Sequence, residues 1–155
     1  LSKKTDDTLV SELAGSFRRK KSSSGDIDIL LTSNNHIKFY TEFVNELLKE
    51  KIIVDIFSKG DTQIMAVAKL RVKGSDLFRH IDIFGYSQNI YPFALLHATG
   101  SDEHNKTMRT IAIEQGYSLS QYGLRQNGII QDLNIKSEKD IFDFLKMEYT
   151  EPHKR

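Results

Sequence analysis

Between Gly25 and Leu31 the chain reads Gly-Asp-Ile-Asp-Ile-Leu-Leu, an alternation of carboxylate and branched apolar residue that an extended strand sorts onto two faces. Asp26 and Asp28 then point one way, and Ile27 and Ile29 point the other, toward a core. Runs rich in Ile, Val, Leu or Phe follow at residues 52–58, 63–72 and 80–86 and read as further strands. Residues 37–48 are apolar at positions 37, 40, 43, 44, 47 and 48, the stripe of an amphipathic helix. A mixed α/β sheet is the expected result.

Beyond Tyr91-Pro92 the pattern turns helical from Ser101 or Asp102 to Gln115, with Gly116 placed as the stop. Residues 117–124 and Ile129-Ile130 read as strands joined by a hairpin turn at Asn127-Gly128. Ser137-Glu-Lys-Asp140 opens a last helix in capping-box style, with Ile141, Phe142, Phe144 and Leu145 on its apolar side. Two lobes meeting near residue 87 are expected from 155 residues, 39% of them hydrophobic, which is enough for a sizeable core. The absence of cysteine excludes disulfides, thiolate metal sites and a catalytic thiol. The longest apolar run, residues 91–98, is interrupted by Pro92 and is far too short to span a bilayer. The first residues, Leu1-Ser-Lys-Lys-Thr-Asp-Asp, have the pattern of neither a signal nor a transit peptide.

Net charge is +1, so bulk charge draws no polyanion, and the basic run Arg18-Arg19-Lys20-Lys21 has to be read by its neighbours. It lies between Gly15-Ser16 and the acidic strand. Gly15 and Gly25 permit close backbone approach, Ser16 offers a hydroxyl, and Arg19 can fork onto phosphate oxygens. Paired carboxylates repel unless a cation offsets them, and Mg²⁺ takes a few carboxylates completed by water and phosphate. A second alternation, Arg79-His-Ile-Asp82-Ile83, supplies a third carboxylate from another strand. Three carboxylates on two strands suit two divalent ions and in-line phosphoryl transfer. The plainer alternative is a polar edge strand whose carboxylates pair with Arg18 or Arg19. None of His36, His80, His97, His104 and His153 has zinc spacing, and Met108, Phe142 and Phe144 read as core.

These motifs continue in order: Ser58-Lys-Gly-Asp-Thr-Gln63, Arg79-His-Ile-Asp-Ile83, Leu96-His-Ala-Thr-Gly-Ser-Asp-Glu-His-Asn-Lys-Thr-Met-Arg109, Ser137-Glu-Lys-Asp-Ile-Phe-Asp-Phe144 and Tyr149-Thr-Glu-Pro152. Together with Gly15-Ser-Phe-Arg-Arg and Gly25-Asp-Ile-Asp28, the chain resembles the family X DNA polymerases, nearest the polymerase beta pattern, over almost its whole length. The resemblance implies an α+β fold. A nucleotidyltransferase palm with a mixed β-sheet and helices would cover residues 1–87, followed by a smaller α/β thumb-like lobe over 88–155, without the family's amino-terminal lyase and helix-hairpin-helix regions. It implies that Asp26 and Asp28 bridge two Mg²⁺ ions, with Mn²⁺ as a substitute, and that Asp82 holds the catalytic one. Ser16, Arg19 and Gly25 would contact the β and γ phosphates, Gly100 the sugar, and Asp102 and Asn105 the incoming base. Arg109 and Tyr122 would line the template's minor-groove side, and Lys59 and Thr62 would hold the DNA backbone. Read without the family, Asn105 and Arg109 are an exposed helix pair and Tyr122 a core residue.

Five positions depart from the family pattern. His80 stands where relatives carry a second Arg beside the catalytic carboxylate, and Phe84 and Gln121 replace a charged pair tied to closing. His97-Ala98 replaces an aromatic pair that crowds the sugar's 2′ position, making these two residues the candidate sugar gate. The expected activity is template-directed addition of deoxynucleotides to primer-template or gapped DNA, in short-gap repair. It belongs to a monomer without a membrane segment, intracellular and nuclear or virus-associated. A template-independent or sugar-relaxed nucleotidyltransferase is the alternative, and an inactive DNA-binding accessory protein is disfavoured by the three intact aspartates.

Overall fold

A computed structural model describes residues 8–23 and 25–155. The amino-terminal stretch 1–7, read above for a leader, and Ser24 of the basic polar loop lie outside the described residues. The chain divides into two compact units. The first holds the described residues through Ala14 together with Ser23–Ser87, and the second holds Gly15–Ser22 with Gln88–Arg155. The basic segment 15–22, assigned by sequence to the first lobe, therefore packs with the second.

The first unit is a five-stranded sheet built from β1 (Val10–Leu13), β2 (Asp26–Thr32), β3 (Ile53–Lys59), β4 (Gln63–Val72) and β5 (Ser75–Tyr86), in the order β1-β2-β5-β4-β3. Only β2 and β5 pair in parallel; the other neighbours are antiparallel. A parallel pair needs a long crossover, and it is made here by α2 (His36–Lys49), β3 and β4. Asn35 caps α2 by accepting from the Lys38 N–H. Tyr40, Val44 and Leu47 of α2 then join Leu31, Ile64, Ala66, Ala68, Ile81 and Ile83 of the sheet in one apolar cluster. Strand β5 begins five residues earlier than its sequence pattern suggests. Lys73 and Gly74 both have positive φ and close a two-residue hairpin that pairs Val72 with Ser75.

The second unit contains a helical turn, α1 (Gly15–Arg18), then α3 (Tyr91–Thr99), α4 (Asp102–Glu114), a three-stranded sheet β6 (Ser118–Ser120), β7 (Gly123–Gln126), β8 (Ile129–Ile130), and α5 (Glu138–Phe144). Its core gathers Phe93, Leu96, Met108, Ala112, Leu124, Ile141, Phe142 and Leu145. Helix α3 corrects the reading of residues 91–98 as a broken run: Pro92 sits in the first turn, where its missing N–H costs nothing. The Asn127-Gly128 hairpin forms as its sequence suggests, with φ of 52° and 77°. Residues 117–124 form two strands, not one, because Ser120 pairs with Gly123 across a turn at Gln121-Tyr122. Ser137 and Asp140 make the expected capping box. Among the described residues no helix is long and apolar enough to cross a membrane.

Helix α2 lies close over Gly85, where an added Cβ would meet the Tyr40 Cβ at 3.0 Å and the His36 carbonyl oxygen at 3.4 Å. Gly85→Ala should therefore lift the helix and cost about 1–3 kcal/mol, seen as a lower urea midpoint for the first unit. A midpoint equal to wild type would mean that α2 is free to shift.

Candidate active site

The sheet register decides where the first unit's carboxylates lie. In the parallel ladder Asp28 is the Cα partner of Asp82, and Asp26 is the partner of His80. Their neighbours Ile27, Ile29, Ile81 and Ile83 pack into or against the core, so the three carboxylates occupy the opposite face. The structure thus brings together the three aspartates singled out by sequence. Burial raises the Asp28 pKa, and the charges of Asp82 and Asp26 raise it further. Burial and Asp26 raise that of Asp82, while His80 pulls it down. Among the described residues no Lys or Arg of the first unit forms an ion pair with any of the three. Nor do three His, Asp or Glu side chains among those residues gather closely enough to enclose a metal by themselves. Asp28 and Asp82, each partly buried and with its pKa raised by burial and a neighbouring carboxylate, offer hard oxygens of the kind a divalent cation takes when water and ligand oxygens complete its shell.

Lys59 ends β3 and Thr62 lies in the following loop. That loop is tied down by the Tyr40 hydroxyl donating to the Gly60 carbonyl at 3.2 Å and the Gly85 N–H donating to the Thr62 carbonyl at 2.7 Å. Lys59 is exposed. Gly25 has no atom within 4 Å of where a Cβ would stand, so nothing in the fold itself requires glycine there.

In the second unit Gly15, at φ 65°, starts the turn that carries Ser16, and the Arg19 N–H donates to the Gly15 carbonyl at 3.2 Å. Arg19 Nη1 donates to the Thr99 carbonyl at 2.6 Å, and its buried Nε has no partner. Gly100 makes room for this arginine: a Cβ there would stand 3.1 Å from Arg19 Nη1, at a φ of 68° that disfavours side chains. Asp102 is exposed at the start of α4. Asn105 is only 6% exposed, and its Nδ2 donates to the His97 carbonyl at 2.9 Å, so it is no surface helix partner of Arg109. A groove beside it is lined by Phe93, His97, Asn105, Met108, Arg109 and Ser120. Partial burial and the Arg109 charge hold the His97 imidazole below its usual range, against the opposing effect of Asp102. Ala98 is half-buried. Tyr122, at the β6–β7 turn, is 49% exposed and not core.

Sequence reasoning missed one group entirely. Glu138 is buried at the start of α5 and accepts from Arg18 at 2.5 and 2.9 Å and from Arg155 at 2.7 Å. Its signal, a charged residue in the first turn behind Ser137, reads as an ordinary exposed N-terminal acid.

Comparison with known proteins gives a consistent set of matches. The family model described as DNA polymerase beta palm matches residues 1–88, and that described as DNA polymerase beta thumb matches residues 94–155. DNA polymerase lambda of Arabidopsis thaliana is 33% identical, over 91% of this chain and 31% of that protein. DNA polymerase lambda of Rattus norvegicus is 30% identical, over 95% of this chain and 29% of that protein. The DNA polymerase/3'-5' exonuclease PolX of Bacillus subtilis (strain 168) is 28% identical, over 83% and 21% respectively. The chain spans under a third of the length of these relatives.

Burial acts to raise the Glu138 pKa, but the hydrogen bonds and charges of Arg18 and Arg155 outweigh it and hold the carboxyl below the usual glutamate range. A carboxyl depressed in the folded state stabilises the fold above its unfolded pKa, and that contribution is lost as pH falls through the lower folded value. The urea midpoint of the second unit should therefore drop below about pH 4.5, and drop less in Glu138→Gln, which starts about 2–4 kcal/mol less stable at pH 7. Equal pH slopes for the two proteins would refute the pairing.

Proposed function

The chain belongs to the family X DNA polymerases, and we propose that it carries the core of a DNA-directed DNA polymerase that adds deoxynucleotides to a primer 3′ hydroxyl in short-gap repair. One observation carries this reading: Asp28 and Asp82 are register partners on a parallel ladder, with Asp26 two residues along the same face. Asp26 and Asp28 would bridge two divalent ions and Asp82 would hold the catalytic one. When bound, Mg²⁺ or its substitute Mn²⁺ supplies charge neutralisation and an activated primer oxygen. Residues 1–87 would serve as the palm and 88–155 as the thumb-like lobe, although Gly15–Ser22 packs with the latter.

The remaining assignments follow the same reading. Ser16, Arg19 and Gly25 would meet the β and γ phosphates, with Arg19 oriented by its bond to the Thr99 carbonyl. Gly100, Asp102 and Asn105 would line the incoming nucleotide, and the buried Asn105 amide, anchored on His97, would do so from a fixed position. Arg109 and Tyr122 would face the template, and Lys59 and Thr62 the DNA backbone. The substrates would then be primer-template or gapped DNA and deoxynucleoside triphosphates, handled by an intracellular monomer, nuclear or virus-associated.

Primer extension with Mg²⁺ on gapped, recessed and single-stranded DNA, offering each nucleotide separately, tests the reading. Correct-base addition on gapped DNA is the expected outcome, and no addition on any substrate would sink it. Asp82→Ala should lose at least about a thousandfold in rate, because the carboxylate that would hold the catalytic metal is gone, and nucleotide binding should survive. Asp26→Ala should weaken Mg²⁺-dependent nucleotide binding as well. Activity of Asp82→Ala within tenfold of wild type would refute the assignment.

A second reading, a sugar-relaxed nucleotidyltransferase, draws on Ala98, whose methyl would leave less bulk beside the sugar than an aromatic ring. Discrimination against ribonucleotides should be modest, and Ala98→Phe should raise the ratio of kcat/KM for deoxy- over ribonucleotides, each factor of ten corresponding to ~1.4 kcal/mol. If wild type already rejects ribonucleotides strongly and only His97→Ala relaxes it, His97 is the gate.

A further inference from the structure

Arg18 and Arg19 straddle Thr99. The Arg18 guanidinium donates to the Thr99 hydroxyl at 2.7 Å, and Arg19 donates to the Thr99 carbonyl at 2.6 Å. Thr99 is itself fully buried, its hydroxyl donating to the Leu95 carbonyl at 2.7 Å one turn back along α3. Adjacent residues that grip one threonine from two sides cannot move independently, so whatever fixes Arg18 also fixes Arg19. What fixes Arg18 is Glu138, which takes both of its terminal nitrogens in a bidentate fork.

Glu138 has little freedom to follow if Arg18 shifts. Its second anchor is Arg155 at 2.7 Å, whose guanidinium lies 5.4 Å from the Phe142 ring centre and 5.5 Å from that of Tyr149. The helix beneath it starts at the Ser137–Asp140 capping box. A buried Arg–Glu–Arg arrangement often stabilises a fold no better than apolar side chains of similar volume. Its use therefore lies in the geometry it imposes on the segment it holds.

We propose that Glu138 is a positioning residue for triphosphate: through Arg18 and Thr99 it sets the Gly15–Arg19 turn, so that Ser16 and Arg19 meet the phosphates pre-organised. This rests on the proposed function, in which Ser16 and Arg19 contact the β and γ phosphates. Glu138 itself touches no substrate. Its loss should appear as weaker nucleotide capture, with the chemical step and DNA binding left in place.

The test uses the full chain on gapped DNA with Mg²⁺, comparing wild type, Glu138→Gln and Glu138→Asp below the melting temperature of each. The readouts are KM and kcat for one correct nucleotide, and Kd for the DNA alone. Glu138→Gln should raise the nucleotide KM about tenfold, with kcat within threefold and DNA Kd unchanged, and Glu138→Asp, which keeps the charge, should recover part of that loss. An unchanged nucleotide KM, or nucleotide KM and DNA Kd worsening together, would overturn the proposal and leave Glu138 a purely structural residue. If Glu138→Gln is unfolded at the assay temperature by circular dichroism, Arg155→Lys takes its place; it keeps the charge but loosens the second anchor of Glu138, and a nucleotide KM raised about threefold supports the proposal while an unchanged one overturns it. Absence of templated addition by wild type is a separate failure, that of the polymerase reading.

Discussion

The parallel pairing of β2 with β5 is the constraint on which the first unit's chemistry depends. Antiparallel neighbours are cheaply joined by a turn, as β4 and β5 are at Lys73-Gly74. A parallel pair needs a crossover, and here α2, β3 and β4 supply it. What this arrangement gains is alignment: both strands run the same way, so alternating Asp-Ile patterns on each fall into step. Asp28 meets Asp82 while Ile29 meets Ile83. A shift of one residue in either strand would turn its carboxylates into the core. The apolar half of the ladder, packed under Tyr40, Val44 and Leu47, therefore enforces the polar half.

The second unit solves a different problem, that of holding a short basic segment in place. A single helical turn such as α1 has too few internal hydrogen bonds to persist alone. It is held by bonds from Arg18 and Arg19 to Thr99 and Glu138, 80 or more residues away along the chain. Gly100 completes the device by leaving the space into which Arg19 reaches.

Much of this was legible in the sequence, and the misses have physical reasons. Strands β2 and β4 and the capping box of α5 follow directly from alternation and from Ser137-x-x-Asp140. Helix α3 was not legible because residues 91–96 and Thr99 are all buried: a helix that is apolar all round leaves no 3.6-residue stripe. The early start of β5 was hidden in Ser75–Arg79, where the strand is mostly exposed and its apolar signal thin. For the site, the three aspartates were legible because strand alternation is local. Glu138 was not, because its burial is created by Arg18 and Arg155, and no local pattern announces partners so distant. Asn105 shows the same limit: at helical spacing from Arg109 it reads as exposed, and only the His97 carbonyl draws it inward.

The two units place charge in opposite ways, and the contrast follows from what each cluster lacks. In the first, Asp28 and Asp82 are pushed up by burial and by neighbouring carboxylates, so their ionised forms weigh against the fold. In the second, Glu138 is buried more deeply and yet held below its usual range, because two guanidinium groups hydrogen-bond it directly. Burial alone acts the same way on all three carboxyls; the partners decide the sign. A like-charged row opposed only in part by His80 is costly to keep ionised, and the sheet can bear it because Ile29, Ile81 and Ile83 bury apolar surface on the reverse of the same strands. In the second unit the Glu138 carboxylate is hydrogen-bonded by Arg18 and Arg155, so it can serve as a fixed point, and the turn that presents Ser16 and Arg19 inherits that rigidity.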